Sequence, residues 1–326
     1  MQCAPSIVVG FDVGGSTFRA SGYEKNQLTT DSPKSIATIR RRFETPPSSA
    51  LLLEMIKESI ESIKEKTQKD ISHVGFGIAA WIEQPKGNVI HSPHLDLKQF
   101  DLKFHLKNQY PNIVFSVNND LSAIAVAEHH YGVGKNFNHV AVVYFGTGLG
   151  CGLILNGKLY EGRGLAGEIG HVRFQHSSNT TLRCACGENN CIEAFTGGKA
   201  IAQRLSNHFP KKKKHTLDGH FIDELLKNGN AHCKMIIDEA CLAACQAVTQ
   251  LTQLLDPEAV VIGGGLFGHS KAFKMTLMER LPSSLNMFAR KNTVIAESKL
   301  GDEAGMLGAA RPVSYTHLTL PTICSV

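Results

Sequence analysis

The chain has 326 residues, 42% hydrophobic and 19% charged, with a net charge of +5. This composition supports one large or two ordinary globular domains and excludes a disordered or fibrous chain. No stretch approaches the ~20 consecutive apolar residues of a membrane helix, so no membrane partner is expected.

Ile7-Val8-Val9-Gly10-Phe11 reads as a buried strand. It ends in Asp12-Val13-Gly14-Gly15-Ser16-Thr17 and resumes at Phe18 to Tyr23, giving strand, glycine turn, strand. Ser48 is placed to cap a helix whose apolar positions are Leu52, Met55, Ile56, Ile60 and Ile63. Residues 73–80 and 113–117 read as strands, and 120–131 as a helix. The opening pattern then returns: strand 139–145, glycine turn Gly146-Thr147-Gly148-Leu149-Gly150, strand 151–155, and an Asn156-Gly157 hairpin. Helix-rich sequence fills 192–255. A strand at 259–262, Gly263-Gly264-Gly265 and a helix follow. GDEAGMLGAAR reads as a closing helix.

Two strand–turn–strand units, each opening an α/β region, amount to a weak internal duplication. The expected architecture is two α/β domains with a cleft between them: residues 1–118, joined by the closing helix 302–311, and residues 119–301. Residues 312–326, PVSYTHLTLPTICSV, match the translation of a common sequencing adapter and are expected to be a non-native tail. Lys211 to Lys214, beside His215, have no interleaved aromatic residues and read as a solvated loop, so no nucleic-acid partner is expected. The N-terminus has no secretion signal, and nine cysteines then point to a reducing, cytoplasmic setting. Cys3, Cys151, Cys233, Cys241 and Cys245 read as small buried apolar groups.

Glycine turns let phosphate approach the backbone and collect several N–H donors. Ser16, Thr17 and Thr147 can each add a hydroxyl, and Asp12 can hold Mg²⁺ through water. GTGLGCG precedes a strand and a hairpin rather than a helix, so it is no dinucleotide fingerprint, and no P-loop occurs. Either turn alone could be a plain hairpin. The matched pair, with the Gly263 cluster, favours a nucleotide cleft.

Two further features carry chemistry. Asp120 stands where a strand meets a helix. From spacing alone a helix cap is the better reading, and a general base at the cleft the alternative. Cys184, Cys186 and Cys191 form C-x-C-x₄-C, preceded by His171 and His176. Free thiols or a redox pair are the bland readings; a closed, structural zinc site is favoured.

DVGGST, VNNDLSAIAVAE, YFGTGLGCGLILNGKLYEGRGLAGEIGH, CACGENNCIEAF and DPEAVVIGGGL stand in the order found in the ROK family, sugar kinases and related repressors, which this chain therefore resembles. The resemblance spans essentially 7–311. It implies the two-domain actin/hexokinase-like, ribonuclease H-like fold with an interdomain cleft. It implies ATP at Asp12, Gly14, Gly15, Ser16 and Thr17, at Gly146, Thr147, Gly148 and Gly150, and at Gly263, Gly264 and Gly265. It implies a sugar at Asn119, Asp120, Glu168, His171 and Glu193, with Asp120 as the base. His171 then joins Cys184, Cys186 and Cys191 around Zn²⁺, and His176 is left as ordinary surface. A homodimer is compatible with the family.

Four departures stand out. Ser16-Thr17 replaces the family's usual Thr-Lys, losing a cation. Asn190 replaces a glycine, which asparagine can do because it tolerates positive φ. Gly77-Ile78-Ala79-Ala80-Trp81 replaces a Gly-x-Pro-Gly turn, and Pro93-His94-Leu95 a Pro-Asn-Leu segment; both lie on the sugar side. The activity implied is ATP- and Mg²⁺-dependent phosphorylation of the primary hydroxyl of a hexose or N-acetylhexosamine, glucose or N-acetylglucosamine foremost. The alternative is a non-catalytic sugar-sensing relative. A repressor would need a helix-turn-helix before Asp12, where this sequence has eleven residues.

Overall fold

A computed structural model of the chain describes residues 6–92, 94–175, 181–209 and 218–311. Cys3, Pro93, His176, the run Lys211 to Lys214 with His215, and the tail 312–326 lie outside them.

The chain opens with β1 (Ile7–Val13), β2 (Thr17–Glu24), β3 (Ala37–Arg42), α1 (Ser49–Thr67) and β4 (Ile71–Ile78). Three short strands follow, β5 (Trp81–Glu83), β6 (Asn88–His91) and β7 (Lys98–Phe100), then α2 (Leu102–Lys107), β8 (Val114–Asn119) and α3 (Asp120–Tyr131). The second half runs through β9 (Val140–Phe145), β10 (Leu149–Leu155), β11 (Lys158–Tyr160), α4 (Ile192–Thr196), α5 (Gly198–Ser206), α6 (Gly219–Lys227) and α7 (Ala231–Leu255). It closes with β12 (Ala259–Gly263), α8 (Gly265–His269), α9 (Lys271–Ser284), α10 (Met287–Asn292), β13 (Val294–Glu297) and α11 (Ala304–Ala310).

The duplication read from the sequence is present in the topology. One sheet is ordered β3-β2-β1-β4-β8 and the other β11-β10-β9-β12-β13. In each, an antiparallel meander of three strands is extended by two parallel strands beside the first. Both central strands are buried along nearly all their length, so their apolar character is continuous rather than alternating. Ser48 caps α1 by accepting from the Leu51 N–H, and the helix buries Leu52, Met55, Ile56, Ile60 and Ile63, a 3.6-residue stripe. A Cβ on Gly10 or Gly75 would lie 1.8 Å from the Met306 or Ala309 carbonyl oxygen, so only glycine lets α11 approach the first sheet this closely.

The third sheet, β5-β6-β7, is an antiparallel flap inserted between β4 and β8. Periodicity gives no warning of it, because its strands are only three or four residues long. Gln84 on the flap donates to the Val117 carbonyl and to Glu161 Oε1, both at 3.2 Å, tying β8 to the loop after β11. Among the described residues no helix is long and apolar enough to cross a membrane.

Candidate active site

One cavity gathers residues from both glycine turns, the start of α3, the flap and the segment before the cysteines. Asp12, Gly14, Gly15, Ser16, Thr17, Asn119, Asp120, Gly146, Thr147, Gly148, Gly150, Glu168, His171, Glu193, Gly264 and Gly265 all line it. Gly263 does not. It ends β12 behind the wall, where a Cβ would lie 2.6 Å from the Tyr144 ring. Tyr144 lines the cavity and is held by its hydroxyl, 2.7 Å from Ser298 Oγ, which in turn donates to Glu128 Oε1.

Backbone bonds shape both turns. Gly14 N–H donates to the Thr17 carbonyl at 2.9 Å, and Gly146 N–H to the Gly148 carbonyl at 3.0 Å. The start of α5 braces the second turn, with Gly198 and Lys199 N–H donating to the Gly146 and Thr147 carbonyls.

The near end of the cavity holds two carboxylates, Asp12 buried and Asp120 partly buried. Asn119, not Asp120, caps α3: its Oδ1 accepts from Leu121 N–H at 2.8 Å and Ser122 N–H at 3.4 Å, while its Nδ2 donates to the Ala80 carbonyl at 3.1 Å. Asp120 is thereby released from capping. It accepts from the Leu121 N–H at 3.0 Å and is steadied also by its own N–H. Burial pushes its pKa up to about 7, with repulsion from Asp12 and Glu168 adding to the rise. Asp12, near the end of β1, stands directly opposite Arg19 on β2, whose guanidinium lies 3.2 Å from Asp12 Oδ2 and 3.2 Å from Asp302 Oδ1. Burial still outweighs Arg19 and holds the Asp12 pKa at about 6. Arg19 escaped the sequence reading, although a charge seven residues on across a tight hairpin is a legible cross-strand pair.

The far end is fully wired. Glu193 Oε2 accepts from Leu149 N–H at 2.9 Å, and Cys184 Sγ donates to Glu193 Oε1 at 3.7 Å. A Cβ on Gly148 would lie 2.2 Å from Glu193 Oε2, so glycine there is a packing requirement. His171 faces two ways. Its Nε2 lies 3.5 Å from Glu168 Oε2, and its Nδ1 lies 3.6 Å from Cys184 Sγ. Burial raises the Glu168 pKa, against His171 and a hydrogen bond from the Trp81 indole.

The ligand atoms of His171, Cys184, Cys186 and Cys191 all lie within 4.8 Å of one another. Cys186 and Cys191 sulfurs are 3.7 Å apart. Zn–S bonds of ~2.3 Å in a tetrahedron give S–S edges of ~3.8 Å, so the donor set and spacing fit zinc. Asn190 takes φ +58°, as a glycine would, and its Oδ1 also accepts from Leu182 N–H at 2.8 Å. Without an ion, burial holds the Cys184 thiol well above its ordinary range and the Cys191 thiol at about 11. A cation would reverse that preference.

Comparison with known proteins identifies the family. The ROK family model matches residues 8–314. The chain belongs to the ROK family. It is 26% identical to a glucokinase of Streptomyces coelicolor over 93% of this chain and 96% of that protein. It is 28% identical to an N-acetyl-D-glucosamine kinase of Escherichia coli O127:H6, over 95% and 99%. A ROK family glucokinase from Streptomyces griseus, solved in complex with glucose and AMPPNP, superposes with a TM-score of 0.77 at 25% identity, covering 94% and 98% of the two chains. The fold is therefore the actin/hexokinase-like fold of ROK sugar kinases.

Within that family frame, two cavity residues of the flap stand outside the expected sites. Trp81 opens β5, and His94 lies between β6 and β7. His94 packs between the two turns: a Cβ on Gly15 would meet its Cβ at 2.6 Å, and one on Gly148 would come within 3.5 Å of its Nε2. Burial lowers its pKa, and its Nδ1 is buried without a partner. The signal for both residues was present in the sequence as departures from the family pattern.

Proposed function

We propose that the protein transfers the γ-phosphoryl group of ATP to the primary hydroxyl of a hexose or N-acetylhexosamine, glucose or N-acetylglucosamine foremost. The observation that carries this reading is Asp120: a partly buried carboxylate on the cavity wall, freed from capping by Asn119 and partnered by backbone N–H groups alone. A sugar hydroxyl becomes an effective nucleophile only as its proton leaves, and Asp120 takes that proton. Its raised pKa makes it a stronger base than an exposed aspartate. Asn119 retains one amide N–H to orient a sugar oxygen. Glu168, His171 through Nε2, and Glu193 receive the hydroxyls at the other end.

The two glycine turns offer N–H groups and the Ser16, Thr17 and Thr147 hydroxyls to phosphate. Asp12, buried and only partly balanced by Arg19, is the group to hold Mg²⁺ through water, and the ion supplies charge neutralisation on the phosphates. His171, Cys184, Cys186 and Cys191 would hold a structural zinc that fixes the Glu168–Glu193 wall. A reducing cytoplasm, which keeps those thiols free, is part of this reading.

A coupled ADP-release assay with Mg²⁺-ATP tests it over glucose, fructose, mannose, N-acetylglucosamine and N-acetylmannosamine. Turnover is expected on glucose or N-acetylglucosamine. Sugar binding without ADP release from any of the five would replace the kinase by a sugar-sensing protein.

A further inference from the structure

Trp81 is the chain's one tryptophan, and it sits on the cavity wall beside the far-end groups. Three contacts fix its ring. The indole N–H lies beside the Glu168 carboxylate and favours its charged form. The His171 ring meets it edge-on, with centroids 6.5 Å apart and planes at 89°. His91, its cross-strand partner on β6, meets it at 5.6 Å and 65°. The flap strand that carries it is itself anchored, through Gln84, to β8 and to Glu161. Locking a large indole in an aqueous cleft leaves apolar area exposed to water. That cost is recovered when an apolar surface covers it.

A pyranose has such a surface. When its substituents are equatorial, the axial C–H bonds present apolar faces while the hydroxyls radiate around the rim. Glu168, His171 and Glu193 are placed to take rim hydroxyls, and Trp81 adjoins them. A flat ring beside directed polar groups reads a sugar in two ways at once. An axial hydroxyl on the stacked face would push the ring off the indole and be left facing carbon, an unmade hydrogen bond.

We propose that the sugar rests with a C–H face of its ring on the Trp81 indole, and that Trp81 is a specificity-determining residue selecting glucose-configured pyranoses over those with an axial hydroxyl. The proposal rests on the sugar-kinase reading for its substrate class, but the platform can be tested without nucleotide.

Trp81 supplies the whole tryptophan emission of the protein, so a titration with glucose or N-acetylglucosamine in the absence of ATP reads the contact directly. A saturable change in intensity and wavelength is expected. Trp81→Ala should raise the sugar KM roughly tenfold and leave kcat within about threefold, since stacking contributes on the order of a factor of ten. It should also narrow the glucose-to-mannose preference by a similar factor. Trp81→Phe keeps a ring and loses the N–H to Glu168, so it should retain most of the affinity. A melting temperature equal to the parent's certifies that the variants are folded.

The proposal is overturned by emission that stays unmoved while calorimetry shows the sugar bound. It is overturned equally by Trp81→Phe being as impaired as Trp81→Ala, which would make the Glu168 bond the whole effect. No emission change with any of the five sugars into the tens of millimolar also rejects it. Emission that saturates with sugar, in a protein that releases no ADP, would keep the platform and remove the kinase.

Discussion

The two ends of the cavity solve the problem of burying charge in opposite ways. At the far end Glu168, Glu193 and His171 are tied to an indole, a backbone N–H and a thiol. At the near end Asp12 has Arg19, and Asp120 has backbone N–H groups but no cation of its own. A wired site is rigid before its ligand arrives, which suits recognition. An under-compensated carboxylate carries an electrostatic cost that a proton or a cation relieves, which suits chemistry. On the proposed function the cavity divides into a prebuilt reader and a strained reactor.

Asp120→Asn tests the reactor most severely. Turnover should fall by a factor on the order of 10²–10⁴, the range for loss of a positioned base. Sugar binding, read by calorimetry, should persist within a few-fold. Stability should move the other way. The Asp120 pKa rises from its ordinary 3.8 to about 7 on folding, so the folded state favours the neutral acid. Its contribution to stability declines as pH climbs through that window, and the full penalty stands above pH 7. The amide removes it. The Asp120→Asn variant should be more stable than the parent at pH 8, by an amount on the order of 1–3 kcal/mol, and nearly equal to it at pH 4. Full activity in the variant would end the assignment of the base.

The reader is tested through the proposed zinc. The protein should carry about one zinc per chain by elemental analysis, and Cys184→Ser or a strong chelator should remove it. Loss should lower the melting temperature by several degrees and weaken sugar binding roughly 10–100-fold, because Glu193 and His171 lose their brace. Nucleotide affinity should hardly change. A metal-free protein with undiminished sugar affinity would show that the wiring alone suffices.

The ends should also separate by pH. With Asp120 protonated below about 7, kcat/KM in the free enzyme should fall about tenfold per pH unit towards acid. Sugar binding should be flatter over the same range. A shared profile would mean that one ionisation governs both ends.

How far these ends are legible in the sequence differs for a physical reason. The duplicated sheets, the turns and the cysteine cluster rest on local signals: buried apolar runs, glycines, close spacing. Asn190 is acceptable at a glycine position because positive φ is a local property. The cap on α3 goes to Asn119 rather than to Asp120, against the spacing argument, because the two are equally good caps by type. Only geometry shows which oxygen reaches Leu121 and Ser122. The flap escapes because strands of three residues have no period to detect. Its two cavity residues, Trp81 and His94, stand out as unusual, but cannot be placed beside Glu168 or between the turns without tertiary structure.

The mildest test concerns the nucleotide side and uses two glycines of one turn. A Cβ on Gly148 would strike Glu193, whereas one on Gly146 meets nothing within 4 Å. Gly146 is therefore open for reasons unrelated to packing, and the space beside it belongs to the cavity it lines. Gly146→Ala should leave stability within about 0.5 kcal/mol of the parent, as for a substitution that touches nothing. If phosphate lies against this turn, the added methyl should still raise KM for ATP several-fold while KM for sugar stays put. Gly148→Ala should do the reverse, loosening Glu193 and raising the sugar KM. Identical kinetics in the Gly146 variant and the parent would remove phosphate from the second turn, and with it the division of the cavity into reactor and reader along the turn's length.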